Sequence, residues 1–158
     1  MDDTGLTPLD RSLLQLMRIR GAVVGTLLTA AAFAAELALR GVAPLPWGVL
    51  VGPALLVLLY LALWSPPRRY RAWGYRMDGD ELRLRRGIWT RVQTLVPLGQ
   101  VQHIDVSQGP VERALGICSL VLHTAGTLHS QIVVPGLTRE TAERIRDEIR
   151  ARIREEPA

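Results

Sequence analysis

Pro97-Leu-Gly-Gln-Val-Gln-His-Ile-Asp-Val-Ser-Gln-Gly-Pro-Val-Glu-Arg-Ala-Leu-Gly-Ile-Cys-Ser-Leu-Val-Leu-His-Thr-Ala-Gly126 is the stretch whose reading decides the fold. Its first half alternates. Gln102, Ile104, Val106 and Gln108 share one face, and Val101, His103, Asp105 and Ser107 the other. Leu120, Leu122 and Thr124 then alternate with Val121 and His123. A period of two over such runs predicts two half-buried strands. Between them, proline at 110 and glycine at 116 bracket Val111–Leu115, the punctuation of a single helical turn. Thr124-Ala125-Gly126 reads as a loop.

Outward from this pair the chain continues in strands. Trp73, Tyr75 and Met77 alternate in a run that starts at Tyr70. Asp78-Gly79 signals a turn into Leu82 and Leu84, with Arg83 and Arg85 on the opposite face. Gly87 interrupts, and Val92, Thr94 and Val96 lead to Pro97. On the far side, residues 131–134 form a short last strand before a Pro135-Gly136 turn. Thr138 then caps an amphipathic helix to about Arg154, with Ala142, Ile145, Ile149 and Ile153 on one stripe. Strands followed by one such helix predict an antiparallel α+β domain over residues 66–158, the helix covering an open end or face of the sheet.

The first 65 residues read differently. Residues 21–39 carry one charge, Glu36, and residues 46–64 carry none. About 20 apolar residues span a bilayer core. Trp47 and Trp64 bracket the second run at roughly 26 Å along a helix, the separation of two membrane interfaces. Residues 40–45 are too few for anything but a tight connection, so the two spans form an antiparallel hairpin. Arg11, Arg18 and Arg20 precede it and Arg68, Arg69, Arg71 and Arg76 follow it, against Arg40 alone in the loop. The asymmetry puts both termini in the cytoplasm of a multi-pass cell-membrane protein. Residues 1–20 read as a cytoplasmic or interfacial segment, with Leu9, Leu13, Leu16 and Met17 on one face of a short surface helix or an extension of the first span. Pro66-Pro67 ends the second helix. Glu36 lies four residues before Arg40, the favourable order for a helical ion pair. As an intramembrane acid it is also the one residue on which a transport function would be built.

The decisive stretch resembles the second type of bacterial PH domain, the YdbS-like family of small membrane proteins. The resemblance rests on Pro97, Val101-Gln102, Gln108-Gly109, Arg113, Leu115-Gly116-Ile117 and Thr124-Ala125-Gly126, with two apolar runs in front. It implies a PH-like barrel or sheet capped by a C-terminal helix. It also implies partnership with a larger membrane protein bearing related domains, in envelope stress or resistance to antimicrobial peptides. It carries over no catalytic or ligand residue.

Composition narrows the remaining chemistry. All 19 basic residues are arginine, and the net charge of +4 belongs to residues 66–158. Cys118 is the only cysteine, so no intrachain disulfide or multi-cysteine metal site is available, and its strand setting marks it as a buried thiol. His103, His123 and His129 lack the spacing of a metal site and read as edge or surface residues, and no phosphate-binding or nucleophile motif occurs. No cofactor, metal or enzymatic activity is expected, and nucleic acid is an unsuitable partner for a tethered surface. Arginine is the signal that remains. Arg68, Arg69, Arg71, Arg76, Arg83 and Arg85 form a strip suited to anionic lipid, which supports an alternative reading as a headgroup sensor at the inner leaflet. Gly21 with Gly25, and Gly48 with Gly52, are small-residue pairs at helical spacing. The second is expected to meet Ala34, Ala35 and Ala38. The first, opposite the bulky run at 55–63, is expected to meet another chain, either a second copy or the larger partner.

Overall fold

The computed structural model describes residues 5–40, 46–125 and 131–155. The hairpin loop 41–45, Gly126 and His129 lie outside them. The described residues form two compact units, residues 14–68 and residues 1–13 with 69–158.

The first unit is a helical hairpin. Helix α1, Ser12–Leu39, is followed by α2, Val51–Leu59, a π-helical turn at Tyr60–Trp64, and α3, Ser65–Arg71. Pro66-Pro67 therefore does not end the helix. The Ser65 N–H reaches back five residues to the Tyr60 carbonyl. The wider turn makes room for proline rings that would otherwise strike the preceding turn. At the start of the chain the structure takes the second of the two expected forms, an extension of the first span. Ser12 opens one helix that runs unbroken through the first apolar stretch, with its N–H capped by Asp10 Oδ1 at 2.8 Å. No separate surface helix precedes it among the described residues.

In the second unit, β1 (Gly74–Asp78), β2 (Glu81–Arg86) and β3 (Val92–Pro97) form one antiparallel sheet in that order. A second contains β4 (Val101–Ser107), β5 (Ile117–Thr124) and β6 (Gln131–Thr138). Their ladders are separate, so the hydrogen bonding describes two three-stranded sheets and not a closed barrel. Short helix α4, Pro110–Ala114, joins β4 to β5 where the single turn was expected. Strand β5, central in its sheet, is buried from Ile117 through Leu122. Helix α5, Arg139–Glu155, packs across this sheet through Ala142, Ile145 and Ile149. Thr138 caps it as read, its Oγ1 accepting the Thr141 N–H at 3.2 Å.

Two bulges correct the strand reading. Val101 pairs with Thr124 and His103 with His123, so Gln102 is an extra residue on β4. The slip reverses the alternation: Val101 is buried while His103 is exposed, although a strict period of two places them together. On β6 the ladder passes from Leu120–Val134 to Cys118–Leu137, so Pro135 and Gly136 together oppose the single residue Ser119, one residue in excess. They are not a turn that ends the strand. Gly136 adopts φ +67°, the left-handed conformation of a glycine bulge, and β6 continues to Thr138. The N-terminal segment docks there. Asp10 N–H donates to the Gly136 carbonyl at 2.9 Å, and a side chain at 136 would collide with Leu13. Thr7 exchanges backbone hydrogen bonds with Tyr75 on the edge of β1, and the Tyr70 hydroxyl donates to the Leu9 carbonyl at 2.6 Å. Tyr70 thus belongs to α3 and anchors that segment, and the strand begins only at Gly74.

Candidate functional site

The expected arginine strip is distributed over several settings. Arg68 stacks over the Trp64 ring, 4.7 Å from its centroid. Arg69 and Arg71 are exposed on α3. Antiparallel register sets Arg76 opposite Arg83 and Gly74 opposite Arg85. Arg83 is occupied by Asp78 at 3.6 Å and Glu81 at 3.8 Å. The neighbouring turn is held in turn by Arg152 of α5, which donates to the Gly79 carbonyl at 2.8 Å and reaches Asp80 at 3.3 Å. The end of the first sheet at residues 78–81 is therefore charge-compensated. The opposite end, where the chain arrives from α3, carries Arg85, Arg86 and Arg91, and no acid occurs between Glu81 and Asp105. Arg76 instead lines an open cleft of about 890 Å3 with Thr7, Tyr75, Arg144 and Glu148. Burial pushes the Tyr75 phenol above its ordinary range.

The small-residue pairs are placed the opposite way from expectation. Gly21 and Gly25 are occupied from within the chain. A Cβ on Gly21 would overlap the Leu61 carbonyl, and one on Gly25 would lie 2.7 Å from Leu58 Cα. At Gly21 the approaching group is the backbone of Leu61 and Ala62, and at Gly25 it is Leu58, side chain and Cα together. A Cβ added at Gly52 would meet nothing within 4 Å, and Gly48 lies in the turn before α2 at φ +86°. Neither meets Ala34, Ala35 or Ala38.

Glu36 is the most constrained polar side chain of the hairpin. It is 2% exposed. Its carboxylate accepts the backbone N–H of Gly48 at 2.6 Å and those of Leu50 and Val51 at 3.3 Å each. Arg40 lies 3.6 Å away, the pair read from the sequence, and stacks over Trp47. Helix α2 has no capping side chain of its own at Leu50, so an acid from α1 satisfies its first donors. The sequence signal for this was the missing cap, which spacing within α1 alone does not reveal.

The histidine reading is extended by one contact. Asp105 shares its face with His103, as the alternation required, at 3.0 Å to Nε2. The β4–β5 register adds His123, whose Nε2 is 3.4 Å from the same carboxylate. All three are substantially exposed, and no group of three or more ligating side chains among the described residues is arranged to hold a metal ion.

The fold is thus a pair of long apolar helices, two three-stranded antiparallel sheets and a C-terminal helix, and the sequence model for the family described as Bacterial PH domain matches residues 21–153. The chain belongs to the bacterial PH domain family. The UPF0699 transmembrane protein YdbS of Bacillus subtilis (strain 168) is 34% identical over 102 residues, 65% of this chain and 62% of that protein. The UPF0699 transmembrane protein YdbT of the same organism is 26% identical over 82 residues, 51% of this chain and 17% of that protein. The matched stretches cover less than two thirds of either relative. No solved structure matches the chain.

In this bacterial PH domain the motif residues quoted at the outset build the β4–β5 connection. Gln108 Nε2 donates to the Ile117 carbonyl at 2.8 Å. Gly109 N–H donates to Glu112 at 2.7 Å, and the buried Glu112 also accepts from the Ser119 hydroxyl at 3.2 Å. Gly116 takes φ +69° to turn the chain from α4 into β5. The pattern encodes architecture. Cys118 is buried, and desolvation pushes its thiol above the ordinary range, as an unreactive core residue requires.

Proposed function

We propose that this chain is a membrane-anchored, non-catalytic PH-like module that assembles with another membrane protein. In this reading α1 and the helix from Val51 to Arg71 cross the membrane as a hairpin, and both termini face the cytoplasm. The observation that carries it is the hairpin's outer surface. Both helices are long and apolar enough to span, and Leu27 and Leu56 are 66% and 69% exposed alongside Val23, Phe33, Leu59 and Leu63. Only lipid or neighbouring helices cover such a surface favourably. The arginine asymmetry across the two apolar stretches supports the orientation.

Support for assembly comes from the relatives. Two named transmembrane proteins of one organism resemble this chain, and the second is much longer than the first. A short protein that resembles part of a long one is suited to pair with it through like domains, so the preferred partner is a larger membrane protein with PH-like sequence. A second copy is the simpler assembly. A rival reading, a sensor of anionic headgroups, is favoured by the arginine excess at the entry end of the first sheet. Purification of the full chain from native membranes in mild detergent separates these. Stoichiometric co-elution with a larger membrane protein, or elution as two or more copies, is expected. Elution of a single chain with only bound lipid contradicts assembly.

A further inference from the structure

The turn between β2 and β3 is closed by the Arg86–Val92 pair and leaves its apolar side chains exposed. This turn, residues 87–91, projects Trp89 with 94% of its surface exposed, and Ile88 and Val92 are exposed beside it. The shape is fixed. Gly87 has φ +104°, and a Cβ there would overlap the Thr90 carbonyl, so the chain folds back tightly. Arg86 and Arg91 flank the tip, both are exposed, and neither is ion-paired to any described residue. The register fixes which end of the sheet this is. Arg85 pairs with Gly74, the first residue of β1, and only Ala72 and Trp73 separate that residue from α3. The tip therefore lies at the end of the sheet where the chain enters from the apolar helix. The compensated acids lie at the other end of β1, about 13 Å away at 3.3 Å per residue.

We infer that Ile88 and Trp89 insert into the interfacial layer of an anionic bilayer, with Arg86 and Arg91 on its headgroups. The inference rests on the anchoring reading above and adds a second membrane contact to it, made by the domain itself. Indole is favoured at that depth because its ring is apolar and its N–H is polar. Flanking guanidinium groups supply attraction to anionic lipid without requiring a headgroup pocket. Charge complementarity and the position of the tip beside the chain's entry both favour lipid over a protein occupant.

The test uses the full chain reconstituted into vesicles of phosphatidylcholine, alone or mixed with phosphatidylglycerol, with a bromine quencher on the acyl chains. One variant keeps only Trp89 (Trp47→Phe, Trp64→Phe, Trp73→Phe), and a second keeps only Trp64. Both indoles should be quenched in anionic vesicles, and Trp89 should lose quenching without phosphatidylglycerol. Arg86→Ala with Arg91→Ala should weaken docking of the tip roughly 30-fold, at about 1 kcal/mol for each charge removed. Quenched Trp64 with unquenched Trp89 overturns the inference, whether water or a protein covers the tip, and leaves the anchoring reading intact. Unquenched Trp64 overturns both. Thr90→Cys carrying an environment-sensitive dye repeats the measurement with every tryptophan in place, since the native Cys118 is buried. Water-like emission from it in anionic vesicles also overturns the inference.

Discussion

Replacing Gly21 or Gly25 with leucine should force the two apolar helices apart. The groups that face these glycines include backbone, the Leu61 carbonyl and Leu58 Cα, and backbone cannot rotate out of the way as a side chain can. Forcing atoms into such a contact costs about 1–3 kcal/mol, occasionally more. Alanine at either position should already be harmful, because the collision begins at Cβ. Gly52 is the control. It lies in α2, where an added Cβ would meet nothing within 4 Å, so Gly52→Ala should be neutral or stabilise by up to about 1 kcal/mol through helix propensity. Thermal unfolding of the purified chain in detergent measures all three. Equal tolerance at positions 21, 25 and 52 would contradict the notch.

Glu36→Ala should be comparably damaging for a different reason. It leaves the N–H groups of Gly48, Leu50 and Val51 without the acceptor that gathers them, and leaves Arg40 without its carboxylate. Unpaired backbone donors are costly wherever water is scarce. A severalfold fall in the amount of folded chain in membranes is expected. Glu36→Gln should fall between wild type and alanine, since its amide oxygen can still accept while its charge is gone. Full tolerance of Glu36→Ala would show that the carboxylate has no structural task and return attention to a transport role.

Periodicity showed the parts of the fold that depend on one element at a time. The stripe Ala142, Ile145 and Ile149 and the cap Thr138 needed only α5, and the apolar runs needed only their length. The parts it missed depend on a second element. A bulge at Gln102 or at Pro135-Gly136 is one residue in excess of a partner strand, and its effect on parity exists only once the partner is known. Pro66-Pro67 signalled an end that the five-residue π turn just upstream, Tyr60–Trp64, averts. The bulk of residues 55–63 points the Gly21/Gly25 notch to another chain, whereas within this chain Leu61 presents its main chain to Gly21 and Leu58 fits against Gly25 with both Cα and side chain. The same distinction governs the candidate surface. Arginine abundance was plain in the sequence, whereas the pairing of Arg83 and the placing of Arg85 beside Gly74 required the register. Trp89 could have been singled out as an aromatic between arginines in a glycine turn, but its exposure is a property of the folded sheet.

The two helices are expected to form a membrane hairpin with the PH-like domain on the cytoplasmic side. Cysteine accessibility in intact cells tests it most directly. Pro46→Cys places a thiol in the exposed turn between the helices and Ala151→Cys places one on the exposed side of α5, away from the tip at residues 87–91, while Cys118 stays buried. A membrane-impermeant maleimide should label Pro46→Cys in cells made permeable only at the outer envelope, and Ala151→Cys only after lysis. Labelling of Ala151→Cys before lysis, with Pro46→Cys protected, would contradict this topology.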